Sequence, residues 1–186
     1  DLKPQPLYED SEIAYFKTHY YGGIKKYQWT CIPLALIGVV YTKDGKKVDI
    51  NIGLKDDDPI FYVSDLLIHM AQDQMKKTLA EGITGEQLQA IAGTNAEEDL
   101  KPKEVFMKML KDTYGIEEED FAAAELELVP ATKSRDVGFD RSMIGSYGHD
   151  DRVDAYPALM AEIATKNPAF TTVCVLTDKE EIGSDG

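Results

Sequence analysis

The feature that most constrains this fold is the pair of segments joined by Lys43-Asp44-Gly45-Lys46. Ahead of it, Cys31 to Tyr41 is the longest apolar run of the chain and contains Pro33 and Gly38. Behind it, Val48, Ile50 and Ile52 alternate with Asp49 and Asn51, the period of a strand with one buried face. An Asp-Gly pair between two such segments predicts a hairpin closed by a type I′ turn, which needs positive φ at both central residues. The first segment reads as a buried strand. It falls well short of the roughly 20 apolar residues that cross a bilayer.

The rest of the chain supplies both strands and helices. Residues 13–42 are rich in aromatic and β-branched types interrupted by Gly22-Gly23, which predicts strands on either side of a tight bend. Ser64 is a plausible N-cap for an apolar stripe of Val63, Leu66, Leu67, Met70, Ala71 and Met75 that ends before Gly82. That spacing predicts an amphipathic helix. A second short helix is expected over 85–92 and a polar loop over 93–99. Val105, Phe106, Met109 and Leu110 predict a helix over 103–114, stopped by Gly115. Ala124, Leu126 and Leu128 alternate with Glu125, Glu127 and Val129, a strand closed by Pro130.

From Lys133 to Gly148 the composition shifts to Gly, Ser, Arg and Asp without periodicity, which marks a boundary. Beyond it a helix is expected over 151–166, then a buried strand from Phe170 to Leu176. Pro157 falls inside that helix, where a proline costs about 3 kcal/mol, so the helix either starts late or bends there.

Composition narrows the partners. A net charge of −14 opposes nucleic acid and anionic membranes, whose binding needs clustered Lys and Arg. With 186 residues the chain can bury a core of one or two domains. Cys31 and Cys174 lie in apolar runs without Cys or His at ligand spacing, so two buried free thiols are expected. No secretory leader pattern opens the sequence, and the cytoplasm is the expected compartment. The opening at Asp1-Leu2-Lys3-Pro4, without Met, suggests an interior fragment of a longer protein.

Three carboxylates stand out, Asp150, Glu180 and Glu181. Asp150-Asp151-Arg152 precedes a helix, and by itself this is an acidic helix N-terminus favoured by the dipole. Glu180-Glu181 follows the last apolar run, and by itself this is a solvated acidic turn. Taken in order, the two place hard oxygen donors at one sheet edge, where open α/β folds bind ligands. Such donors suit divalent metals, and paired metals roughly 3.5–4 Å apart share bridging carboxylates in hydrolases. A non-catalytic oligomerisation module is the rival reading.

At these residues the chain resembles the aspartyl aminopeptidase family of dinuclear zinc metalloaminopeptidases, in its bacterial members. The likeness is carried by Ser146-Tyr147-Gly148-His149-Asp150-Asp151-Arg152-Val153 and by Asp178-Lys179-Glu180-Glu181-Ile182-Gly183-Ser184. Asp1-Leu2-Lys3-Pro4, Tyr20-Tyr21-Gly22-Gly23-Ile24 and Asp136-Val137-Gly138-Phe139-Asp140 extend it.

The resemblance implies an α/β zinc-peptidase core carrying an inserted α+β dimerisation domain. Residues 1–10 would be an edge of the core, 11–140 the inserted oligomerisation domain, and 141–186 part of the catalytic core. Asp150 would bridge two zinc ions (cobalt or manganese being alternatives) and be followed by a cis peptide. Glu181 would ligate one metal, and Glu180 would be the general base. Asp151 and His149 would shape the surroundings of the ligands. His69 would reach the active site of a neighbouring subunit in a large homo-oligomer. On the helix expected there it lies roughly 120° from the centre of the apolar stripe, off the core face.

The substrates implied are peptides with an acidic or neutral N-terminal residue. The family's remaining His and Asp ligands have no counterpart in these 186 residues, so the chain by itself is expected to be inactive.

Overall fold

The computed structural model describes residues 1–10, 12–20, 22–94, 100–179 and 181. By their contacts these fall into two compact units. The first takes the described residues of 1–20 and 24–131; the second takes Gly22, Gly23 and those from Thr132 onward.

The first unit holds two three-stranded antiparallel sheets. β1 (Leu2–Glu9), β2 (Ile13–Thr18) and β5 (Gln89–Thr94) pair in the order β1-β2-β5. β3 (Leu34–Tyr41), β4 (Lys47–Ile52) and β6 (Ala124–Pro130) pair in the order β4-β3-β6. The apolar run is thus the central strand of its sheet, as its two-sided hydrophobicity requires. Leu34, Ala35, Leu36 and Val40 are buried, and Leu126 and Leu128 of β6 bury against the same core. Isolated bridges from Phe61 to Leu34 and from Tyr62 to Ile91 tie the sheets together.

The hairpin forms, but not with a type I′ turn. Gly45 has φ 82 while Asp44 is not left-handed, and the Gly45 N–H donates to the Thr42 carbonyl at 2.8 Å. The Thr42 N–H then donates to the Lys46 carbonyl at 3.0 Å, a three-residue loop with glycine in the left-handed position. One positive φ suffices for that loop, so Asp44 avoids the strained region.

Helix α2 (Pro102–Tyr114) forms as its periodicity predicts. Pro102 occupies the first turn, the Lys101 N–H donates to Glu104 Oε2 at 3.0 Å, and Gly115 closes the helix at φ 70. Its buried face, Phe106 and Leu110, packs on the core around Phe16. The Phe16 ring lies edge-on to Phe106 at 5.4 Å and to Phe61 at 5.6 Å.

Two expected helices do not form. Between Ser64 and Gly82 there are turns, a 3-10 turn over Gln74–Lys76 and only the four-residue α1 (Leu79–Gly82). Leu66, Leu67, Met70 and Met75 are exposed while Ala71 is buried. Helices draw most of their stability from burying the apolar face, and of this stripe only Val63 and Ala71 are buried. The helix expected over 85–92 is instead a 3-10 turn followed by β5, because pairing with β2 buries Ala90. The polar segment 95–99 lies outside the described residues.

The second unit contains a small hairpin, β7 (Arg135–Val137) with β8 (Met143–Gly145), and helix α3 (His149–Ala164). The strand expected from Phe170 to Leu176 is absent: these residues pair with no strand among the described residues. Phe170 and Val175 are 86% and 74% exposed. A strand exists only through hydrogen bonds to neighbours, and none is present among the described residues. The cysteines are also not buried. Cys31 is exposed, in a turn with φ 59, and Cys174 is half-buried; both are free.

Candidate metal site

The chain enters α3 through backbone that its sequence makes easy to bend. Gly148 adopts φ 88 and lets the chain reverse after β8. The His149 ring places Nε2 3.1 Å from the Ile144 carbonyl oxygen, so the Nε2–H tautomer donates to β8 and fixes the head of the helix to the hairpin. Asp150 (φ −84, ψ 114) and Asp151 (φ −111, ψ 23) are non-helical, and the peptide bond between them is cis. Regular helix therefore begins at Arg152, and Pro157 still falls inside it, beyond the first turn.

Asp150, Asp151 and Glu181 all present exposed side chains in the second unit. Glu181 lies against Gly22: a Cβ built on that glycine would fall 2.7 Å from the Glu181 carbonyl oxygen and 2.8 Å from its Cβ. The Gly-Gly pair signals a bend in the sequence, but its partner 159 residues away leaves no trace there. Glu180 lies outside the described residues.

His69 lies in the first unit and is exposed. It is carried not by a helix but by a turn in which the Met70 N–H donates to the Leu67 carbonyl at 2.9 Å.

The donor chemistry of Asp150 and Glu181 fits a divalent zinc, since carboxylate oxygens bind it at ordinary protein sites. A catalytic zinc takes three protein ligands. Among the described residues no group of three or more His, Cys, Asp or Glu side chains is placed to hold an ion. Asp150 and Glu181 share the second unit, and no complete ligand set is brought together among the described residues.

Comparison with known proteins covers the chain from end to end. The family model described as aminopeptidase I zinc metalloprotease (M18) matches residues 1–186. The probable M18 family aminopeptidase 1 of Clostridium acetobutylicum is 50% identical over 190 residues, spanning 100% of this chain and 41% of the relative. The Thermotoga maritima counterpart is 50% identical over 189 residues. The crystal structure of the M18 aminopeptidase from Thermotoga maritima superposes with a TM-score of 0.86 at 48% identity, over 100% of this chain and 41% of that one. Aminopeptidase I from Clostridium acetobutylicum gives 0.82 at 48% identity, over 90% and 38%. This sequence thus spans about two fifths of the length of the relatives it matches. The chain belongs to the M18 family of aminopeptidase I zinc metalloproteases.

Proposed function

We propose that the protein containing this chain is a zinc-dependent aminopeptidase that removes an acidic or neutral N-terminal residue from peptides. The observation that carries this reading is the family match along all 186 residues, together with Asp150 and Glu181 in one structural unit. Zinc, when bound, supplies Lewis acidity that polarises the peptide carbonyl and makes water a nucleophile near neutral pH.

The chain's residues take distinct parts. Asp150 would be a ligand shared by two ions and Glu181 a ligand of one. Glu180 accepts the proton of the attacking water and delivers it to the leaving amine nitrogen, so one carboxylate acts first as base and then as acid. His149 holds the head of α3 through its bond to Ile144, and Asp151 continues that head into the helix. The reading extends to architecture: 11–140 as an inserted module for self-association, with 1–10 and 141–186 in the peptidase core. The exposed Leu66, Leu67 and Met70 around His69 support a contact between subunits, across which His69 reaches a neighbouring active site.

The test is made on the full-length protein with zinc content and peptide turnover measured together. Asp150→Ala is expected to lower bound zinc, while Glu180→Gln keeps the zinc and lowers kcat by about 100- to 10,000-fold. A Glu180→Gln enzyme with wild-type kcat removes the assigned base. A wild-type protein without zinc or peptidase activity removes the whole reading.

A further inference from the structure

We propose that Gly22 is a positioning residue for Glu181: its bare backbone forms the wall against which the metal-ligating carboxylate is seated. The inference rests on the metal role given to Glu181 above.

Two observations carry it. Gly22 and Gly23 group with the second unit, although the chain on either side of them belongs to the first. The segment has left its sequence neighbours to lie beside the site. Secondly, a Cβ on Gly22 would meet Glu181 at three atoms: the carbonyl oxygen at 2.7 Å, Cβ at 2.8 Å and Oε2 at 3.1 Å. The first two are closer than real Cβ contacts allow, and one of them is backbone. Any larger residue must therefore push the whole of Glu181 away, not merely rotate its carboxylate. Gly22 also has φ 65, a region open to glycine and tolerated by Asn. Its neighbour Gly23 has nothing within 4 Å of a built Cβ and no positive φ, so the demand is local to one residue of the pair.

A metal ligand is held to a few tenths of an ångström by the groups behind it, and loss of such support costs about 10- to 100-fold in metal affinity. The side chain of Glu181 is exposed, so few other contacts among the described residues hold it against such a displacement.

The experiment uses the full-length protein as wild type, Gly22→Ala, Gly22→Asn and Gly23→Ala. Readouts are zinc affinity by competition with a chelating dye, the visible spectrum of the cobalt-substituted protein, and thermal unfolding with and without zinc. Gly22→Ala and Gly22→Asn are expected to weaken zinc binding about 10- to 100-fold, alter the cobalt bands and shrink the zinc-induced rise in Tm. Gly23→Ala is expected to match wild type in all three. Asn relieves the cost of positive φ and keeps the Cβ, so it isolates crowding from backbone strain.

Wild-type zinc affinity and cobalt bands in the Gly22 variants overturn the inference, as does a lowered zinc-free Tm with an unchanged zinc-induced shift. Loss of the fold in both variants also overturns it, since Gly22 then serves folding. A wild-type protein that binds neither metal overturns the metal role of Glu181 instead, which separates the two failures.

Discussion

Asp120 accepts the backbone N–H of Lys43 at 2.9 Å through Oδ1 and that of Glu117 at 2.8 Å through Oδ2. It is 5% exposed and joins the 3-10 turn Glu118–Ala123 to the end of the β3–β4 hairpin. Both carboxylate oxygens thus serve donors that have few other partners. Asp120→Ala strands two N–H groups and is expected to cost about 3 kcal/mol, since each part-buried donor left unmet costs about 1–3 kcal/mol. Asp120→Asn keeps one acceptor and is expected to cost less. Urea unfolding of the full-length variants measures both, and equal costs would contradict the two-acceptor account.

Phe16 is fully buried and edge-on to both Phe61 and Phe106, so it joins β2, the 61–62 bridge and α2. Phe16→Leu is expected to be tolerated with a cost of about 1–2 kcal/mol, while Phe16→Ala costs about 3–5 kcal/mol through the cavity it leaves. Thermal unfolding orders the pair.

Gly38 sits in the central strand β3 at φ 135, and a Cβ there would overlap the carbonyl oxygen of Glu125 on β6. Both backbone conformation and space exclude a side chain. Gly38→Ala is expected to destabilise the protein by about 3 kcal/mol or more. Gly45→Ala has open space and only a positive φ to resist it, and should cost about 1–2 kcal/mol. A larger loss at Gly45 than at Gly38 contradicts the close-approach argument.

Asp58 Oδ2 accepts the N–H groups of Lys55 at 3.1 Å and Gly53 at 3.0 Å, and these bonds hold its carboxyl below the ordinary 3.8. The charged form is favoured in the folded state, so its contribution is fully present above pH 3.8 and fades as pH falls through the lower folded value. Asp58→Asn cannot titrate. The gap in Tm between wild type and variant is expected to narrow as pH is lowered from 5 to below 3.8. A gap constant across that range contradicts the assignment.

Segments that bury their apolar face within the chain were legible in advance. The β3–β4 hairpin, helix α2 and strand β6 carry both the pattern and a nearby partner surface, so local preference and tertiary packing agree. The Ser64–Met75 stripe carries the pattern of a helix and the Phe170–Leu176 run that of a buried strand, yet most of the stripe stays exposed and the run pairs with no strand among the described residues. Periodicity reports what a segment can bury, not whether a surface exists to receive it. Residues 85–92 failed for the opposite reason, because pairing with β2 outweighed a weak helical preference.

The sequence by itself determined the order of the chemistry: Asp150 ahead of a helix, Glu180 and Glu181 after an apolar run, and the family these imply. Its residue types fixed the donors, since hard oxygens in that order suit a divalent ion. Only tertiary structure decided where the helix after Asp150 begins, that His149 anchors its head to Ile144, and that Gly22 rests on Glu181 across 159 positions. The reason is physical. Residue type and spacing set local chemistry, whereas the approach of two backbones distant in sequence follows from how the whole chain packs.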